Sequence, residues 1–203
     1  MENKIINIAR EVFIEKGFAE TSMSEIATRA DINRPTLHYY FRTKEKMYQA
    51  IFGSIVQTIL PKVFDALTNR DESISQRIGC IVDAYYAIFL ENPSLPMFIL
   101  REVNRDPQHL IHTVCEIHAI DPILQALTSL QEEMNQGQLK QVPLQFVFYN
   151  FYSLLLMPFL TYDFSQKVFH QDEANFKTML MDWRQNIIDQ MEHLLCVAST
   201  HSK

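Results

Sequence analysis

The chain has 203 residues, 47% hydrophobic and 21% charged, with four glycines and a formal net charge of −6. Ordinary usage of about 7% would give roughly fourteen glycines, so the many positive-φ turns of an all-β sandwich or barrel are poorly supplied. No G-x-G or G-x-x-x-x-G-K run occurs, which disfavours an α/β enzyme cradling phosphate. Taken whole, the negative charge also argues against a nucleic-acid partner.

Residues 1–20 mix charged groups (Glu2, Lys4, Arg10, Glu11, Glu15, Lys16, Glu20) with apolar ones and hold no uninterrupted apolar run, so they do not read as a signal peptide. Cys80, Cys115 and Cys196 form no C-x-x-C pair, and a cytoplasmic protein without a disulfide framework is expected. Ile5, Ile6, Ala9, Val12 and Phe13 recur at helical spacing over Lys4–Lys16, and Gly17 follows as the residue that ends the helix. Ser22 and Glu25 form a capping-box pattern, in which each satisfies the other's backbone N–H, opening a short second helix. Asp31-Ile32-Asn33 breaks it. Asn33 caps a third helix with Pro35 in its first turn, where a missing N–H costs nothing. Leu37 and Phe41 form the inward face of that helix, and Thr43 caps a long fourth one over about residues 44–67.

Beyond it the period stays helical: 73–90, a break at 92–96, then 97–103. Asp106-Pro107 and Asp121-Pro122 each read as an N-cap followed by Pro at the first helical position, and Gly137 ends the second of these helices. The last two helices are expected at 143–162 and 172–197, joined by a polar loop near 165–171. The uncharged run 141–162 approaches the length of a membrane span, but Gln145, Asn150, Ser153 and Pro158 favour a helix buried in protein on most sides. The fold class is therefore all-α, about nine helices, with a three-helix N-terminal domain at 1–47 and a larger helical domain at 48–203.

Two short helices joined by a three- to four-residue turn make a helix-turn-helix, whose second helix leads into the major groove with its N-terminal side chains. Those are Arg34, Thr36, His38 and Tyr39, with Tyr40 on the flank. Arg34 and His38 share a face. Arg34 suits bidentate donation to guanine, and Thr36 suits a thymine methyl or a phosphate. Tyr39 and Tyr40 offer hydroxyls to phosphates, and Lys44 stands at a helix N-terminus where backbone N–H groups face the same partner. Residues 1–47 hold eight Lys/Arg against seven Asp/Glu, a balance of +1, and the other 156 residues hold ten against seventeen, a balance of −7. DNA affinity follows phosphates neutralised at the contact, so the whole-chain sign misleads.

The stretch from Thr21 to Met47, TSMSEIATRADINRPTLHYYFRTKEKM, resembles the signature of the TetR (tetracycline-repressor-like) family, T-x-x-x-I-A-x-x-A-G-V-S-x-x-T-L-Y-x-Y-F-x-x-K-E-x-L. Asp31 stands where the family has Gly, Asn33 where Ser is common, and His38 where Tyr is usual. The resemblance covers roughly residues 3–50. It implies DNA contacts by Ser24, Arg34, Pro35, Thr36, His38, Tyr39, Tyr40 and Lys44, a double-stranded DNA operator as partner, and a homodimer formed by the last two helices. The apolar stripe Phe176, Met179, Leu180, Trp183, Ile187, Met191, Leu194 and Leu195 is expected at that interface. The resemblance also implies a pocket for a small hydrophobic or amphipathic effector, with Tyr85, Tyr86, Phe89, Met97, Phe98, Arg101, Cys115, Phe148 and Tyr152 as candidates. Such an effector is expected to act by displacing the fourth helix.

His109, His112 and Glu116 lie within about 60° on a helical wheel, yet solvated or hydrogen-bonded histidines account for them better than a metal. No cofactor is expected. No G-x-S-x-G, H-E-x-x-H or Cys/His signature supports an enzyme. The function expected is a DNA-binding regulator, a repressor released by its effector, without membrane association. The alternative is a helical carrier of a hydrophobic ligand, or a membrane-peripheral protein, without DNA binding.

Overall fold

A computed structural model describes residues 1–170 and 172–197. Among them the chain is all helical, with eleven helices against the nine or so expected, and only an isolated bridge between Leu139 and Cys196. They are α1 (Glu2–Glu20), α2 (Met23–Arg29), α3 (Arg34–Tyr40), α4 (Lys44–Thr68), α5 (Ile74–Glu91), α6 (Leu95–Arg105), α7 (Pro107–Glu116), α8 (Ile120–Asn135), α9 (Leu144–Leu160), α10 (Tyr162–Phe169) and α11 (Glu173–Leu195). Two compact units share them. One is Met1–Ile59 with Asn92–Ile120; the other is Leu60–Glu91 with the described residues from Asp121 on.

In the first unit, Ile5, Ala9, Val12 and Phe13 of α1 meet Ile26, Ala27, Leu37, Met47 and Tyr48 in a closed core. Each fully buried side chain of this size contributes about 1.5–3 kcal/mol. Gly17 turns the chain at φ 78°, and a Cβ there would stand 2.9 Å from Glu102 Oε1, so both conformation and space require glycine. α6 packs along α1. Its Glu102, buried, accepts the Phe18 backbone N–H at 3.1 Å and the Tyr48 hydroxyl at 3.1 Å, which holds α1 and α4 to one carboxylate.

A chain this poor in glycine must place other residues at left-handed helix ends. Asp31 (φ 56°) and His118 (φ 54°) do so after α2 and α7. In both, paired backbone bonds close the end: Asp31 N–H to Thr28 with Ile32 N–H to Ala27, and His118 N–H to Cys115 with Ala119 N–H to Val114. Gly137 (φ 75°) closes α8 in the same way. Asp106 caps α7 as its sequence predicts, accepting the His109 N–H at 2.9 Å. Asp121 instead lies inside the first turn of α8, which starts one residue earlier.

In the second unit α11 packs on α5 and α9. Phe176, Leu180, Ile187, Met191 and Leu195 are buried there, with Ile78, Val82, Phe89 and Leu155. Of the apolar stripe of α11 these five fill the core of their own unit, while Met179, Trp183 and Leu194 are half-buried. Two expectations change. The stretch read as a polar loop after residue 165 belongs largely to α10, bent 65° from α9. α9 is not buried on most sides: Phe151, Leu155 and Phe159 face inward, while Phe146, Phe148, Tyr149 and Met157 are exposed. α4 is long and apolar enough by composition to cross a membrane, but its Met47, Tyr48, Ile51 and Phe52 are buried in the first unit.

Candidate nucleic-acid interface

The geometry of α2 and α3 follows from local chemistry. The Ser22 hydroxyl oxygen accepts the Glu25 N–H at 3.2 Å, which is one half of the predicted capping box. The other half is absent, because the Glu25 carboxylate turns to Lys16 (2.7 Å) and Arg29 (3.0 Å). Glu15 takes Arg29 from the other side at 2.7 Å. The Arg29 hydrogen bond holds the Glu15 carboxyl below the usual range, and the Lys16 hydrogen bond does the same for Glu25. This network neutralises Lys16 and Arg29, so the basic groups that matter locally are those after Asn33.

Asn33 caps α3: its Oδ1 accepts the Thr36 N–H at 2.8 Å and the Thr36 hydroxyl at 2.7 Å. Leu37 is fully buried and Phe41 is 7% exposed, so the inward face is the predicted one. At 100° per residue Tyr39 points directly away from that pair, and it is 83% exposed. Arg34 and His38 lie on one flank of Tyr39, with Thr36 and Tyr40 on the other. Arg34, Pro35 and His38 are exposed, Thr36 and Tyr40 half-buried, and Ser24 on α2 is exposed. Tyr39 and Tyr40 meet edge to face at 5.3 Å, which stiffens the outer ridge. The His38 ring places Nδ1 3.2 Å from the Arg42 carbonyl oxygen.

Lys44 is held differently from the other predicted contacts. Its ammonium donates to the Phe18 carbonyl at 2.9 Å and lies 4.3 Å from the centre of the Phe18 ring. It therefore ties the end of α1 to the start of α4. Glu102 and Asn33 are the residues that sequence reasoning left out of the site. Leu95, Phe98 and Glu102 share one helical face, and a lone carboxylate on such a face was the available signal for Glu102.

Residues 5–51 match the family model described as bacterial regulatory proteins, tetR family. Residues 5–51 are therefore a tetR-family module. That module is the helix-turn-helix of DNA-binding transcriptional regulators. The chain is 31% identical over 91 residues to the HTH-type transcriptional activator FasR of Mycolicibacterium smegmatis, covering 45% of this chain and 41% of FasR. It is 25% identical over 170 residues to the probable HTH-type transcriptional regulator YttP of Bacillus subtilis, covering 83% and 82%. Among solved structures it is similar to the transcriptional regulator FadR of Bacillus subtilis in complex with stearoyl-CoA, at a TM-score of 0.66 and 15% identity, covering 94% and 97%.

Within the tetR fold, the candidate effector residues fall into separate groups. In the second unit the Tyr85 and Tyr152 hydroxyls hydrogen-bond each other, Phe89 is buried beside Tyr85, and Phe148 leans on Tyr152 at 4.7 Å while remaining exposed. Tyr86 buries its hydroxyl without a hydrogen-bond partner among the described residues. In the first unit Phe98 is buried near Tyr48, Met97 and Cys115 are exposed, and Arg101 donates to the Glu15 carbonyl at 2.9 Å. Arg101 therefore has a backbone partner within its own unit. His109 stacks on Phe18 at 4.2 Å, and His112 Nε2 lies 3.9 Å from Glu116. Among the described residues no group of three or more His, Cys, Asp or Glu side chains is placed to hold an ion.

Proposed function

We propose that this regulator is a cytoplasmic repressor that binds a palindromic DNA operator as a homodimer and is released by a small hydrophobic or amphipathic effector. It has no catalytic role and no membrane association in this reading. One observation carries it: α3 buries Leu37 in its own unit and exposes Arg34, Pro35, His38 and Tyr39 together, a helix held rigidly from behind and bare in front. Ser24, Arg34, Pro35, Thr36, His38, Tyr39 and Tyr40 are the contacts assigned to DNA, with Lys44 acting through the α4 N-terminus it steadies. DNA reading is assigned to residues 1–47, and effector binding and dimerisation to 48–203.

A single module of this size buries too little surface for useful specificity, so two half-sites about 34–36 Å apart fit it better. The exposed apolar stripe of α9 supports a second copy as the partner. The effector assignment is supported by the Tyr85–Tyr152 hydroxyl pair inside an aromatic core, and by the stearoyl-CoA bound to FadR, a protein of similar fold. The test is gel retardation of a palindromic duplex selected from a random pool. Binding should weaken steeply with salt, as phosphate-driven binding does. The proposal is lost if no duplex is retained at low salt and the Arg34→Ala and Thr36→Ala variants behave like the parent.

A further inference from the structure

We infer that α3 reads base edges with a fixed hydrogen-bond polarity: Arg34 donates, Thr36 presents a methyl group and lone pairs, and His38 accepts through Nε2 from the amino group of adenine or cytosine. This rests on the DNA-binding reading above and adds which chemical groups of the groove each side chain can recognise.

The polarity follows from acceptors that admit one assignment only. Asn33 takes the Thr36 backbone N–H at 2.8 Å, and an N–H needs an acceptor, so the atom there is Oδ1 and not the amide nitrogen. The Thr36 hydroxyl lies 2.7 Å from that same oxygen and must therefore spend its only hydrogen on it. What remains of Thr36 for DNA is its methyl and its oxygen lone pairs. The Arg42 carbonyl oxygen likewise only accepts, so His38 Nδ1, 3.2 Å away, carries the hydrogen. In the neutral ring Nε2 is then the bare nitrogen. It repels a phosphate oxygen and seeks a donor, and in the major groove the donors are adenine N6 and cytosine N4. Arg34 has donors only, which fits guanine O6 and N7. A Tyr at position 38 would be free to donate; the neutral ring of this His is not.

The test uses the full-length protein and a duplex selected from a random pool, carrying single base analogues. Alanine variants of Arg34 and His38 first identify the base pair whose preference each governs, and the Thr36→Ser and Thr36→Val pair does so for Thr36. At the His38-dependent pair, deleting the amino group (purine for adenine, or pyrimidinone for cytosine) should weaken binding about tenfold, while 7-deaza substitution leaves it unchanged. At the Arg34-dependent pair 7-deazaguanine should cost a similar factor. At the Thr36-dependent pair uracil for thymine should cost several-fold, a loss retained in Thr36→Val and abolished in Thr36→Ser. Loss on 7-deaza substitution rather than amine deletion at the His38 pair would overturn the assignment, as would a His38→Ala variant that alters no base preference. Failure to select any duplex would instead reject DNA binding itself.

Discussion

Arg77 grips Glu133 through two bonds, Nη1 to Oε2 at 2.7 Å and Nη2 to Oε1 at 2.9 Å, with both side chains buried. The same guanidinium donates Nε to the Ala66 carbonyl at 2.7 Å and Nη2 to the Leu67 carbonyl at 2.6 Å. Those carbonyls belong to the last turn of α4, where no intrahelical N–H remains to meet them. Arg77→Ala should therefore lower stability by about 3–5 kcal/mol in urea denaturation, because it leaves a buried carboxylate and two carbonyls unpaired. Replacing both partners, Arg77→Met with Glu133→Leu, should cost less than the single change. Equal losses would show that the ion pair is not what matters.

Tyr85 and Tyr86 are neighbours with opposite expectations. The Tyr86 hydroxyl is buried without a partner among the described residues, whereas the Tyr85 hydroxyl bonds Tyr152. Removing an unsatisfied buried group relieves its desolvation, so Tyr86→Phe should leave the melting temperature unchanged or raise it. Tyr85→Phe should cost about 1 kcal/mol. A clear destabilisation by Tyr86→Phe would mean that its hydroxyl is satisfied in solution.

Alkaline titration checks the same core. Burial pushes the Tyr86 hydroxyl up to about 12, and burial first, then the neighbouring Glu102, raises Tyr48 further. Burial raises Tyr85 and Tyr152 as well. A raised folded value means the unfolded chain loses these protons first. Stability is therefore unaffected below the unfolded value near 10 and falls as pH climbs from about 10 towards 12. Tyrosinate absorbance should show Tyr48, Tyr85, Tyr86 and Tyr152 ionising above pH 10 while the chain stays folded; their ionisation near pH 10 in the folded protein would contradict this burial.

What was legible in the sequence is what short-range chemistry decides. Ser22, Asp31 and Asn33 set the ends of α2 and α3 through bonds spanning no more than five residues, and residue types alone announce them. The face of α11 was not legible. An apolar stripe has the same sequence whether it meets α5 and α9 of its own chain or a second copy, and here Leu180, Ile187 and Met191 meet their own. α10 was missed because Phe164, Val168 and Phe169 alternate with polar groups, and its short amphipathic run resembles a loop. Lys44 was read by position at a helix start, but its geometry depends on a carbonyl 26 residues away.

That last point separates two variants that sequence alone would treat alike. Arg34 is exposed, and Arg34→Ala should reduce operator affinity by about 1–3 kcal/mol while moving stability by less than about 0.5 kcal/mol. Lys44→Ala removes a charge-assisted bond to Phe18 and its contact with the ring, so it should lower both the melting temperature and DNA affinity. Calorimetry and retardation measured on the same samples decide it. A Lys44→Ala protein of parental stability would place that ammonium elsewhere in solution.

The dimer surface proposed on α9 can be tested without disturbing the core. On α9, Phe146, Tyr149 and Met157 are 55%, 63% and 58% exposed and stand three, eight and eleven residues apart, which sets them along one stripe. The opposite stripe, Phe151, Leu155 and Phe159, is buried, so the outer one is not needed for the packing of its own unit. Placing carboxylates there leaves the buried side untouched and sets like charges against each other across a two-fold interface. Tyr149→Glu combined with Met157→Glu should convert dimer to monomer in sedimentation velocity, with little change in the melting temperature of the protomer. It should also weaken binding to a palindromic duplex far more than to a single half-site, since only the former depends on two linked modules. A double variant that still sediments as a dimer would move the interface away from α9.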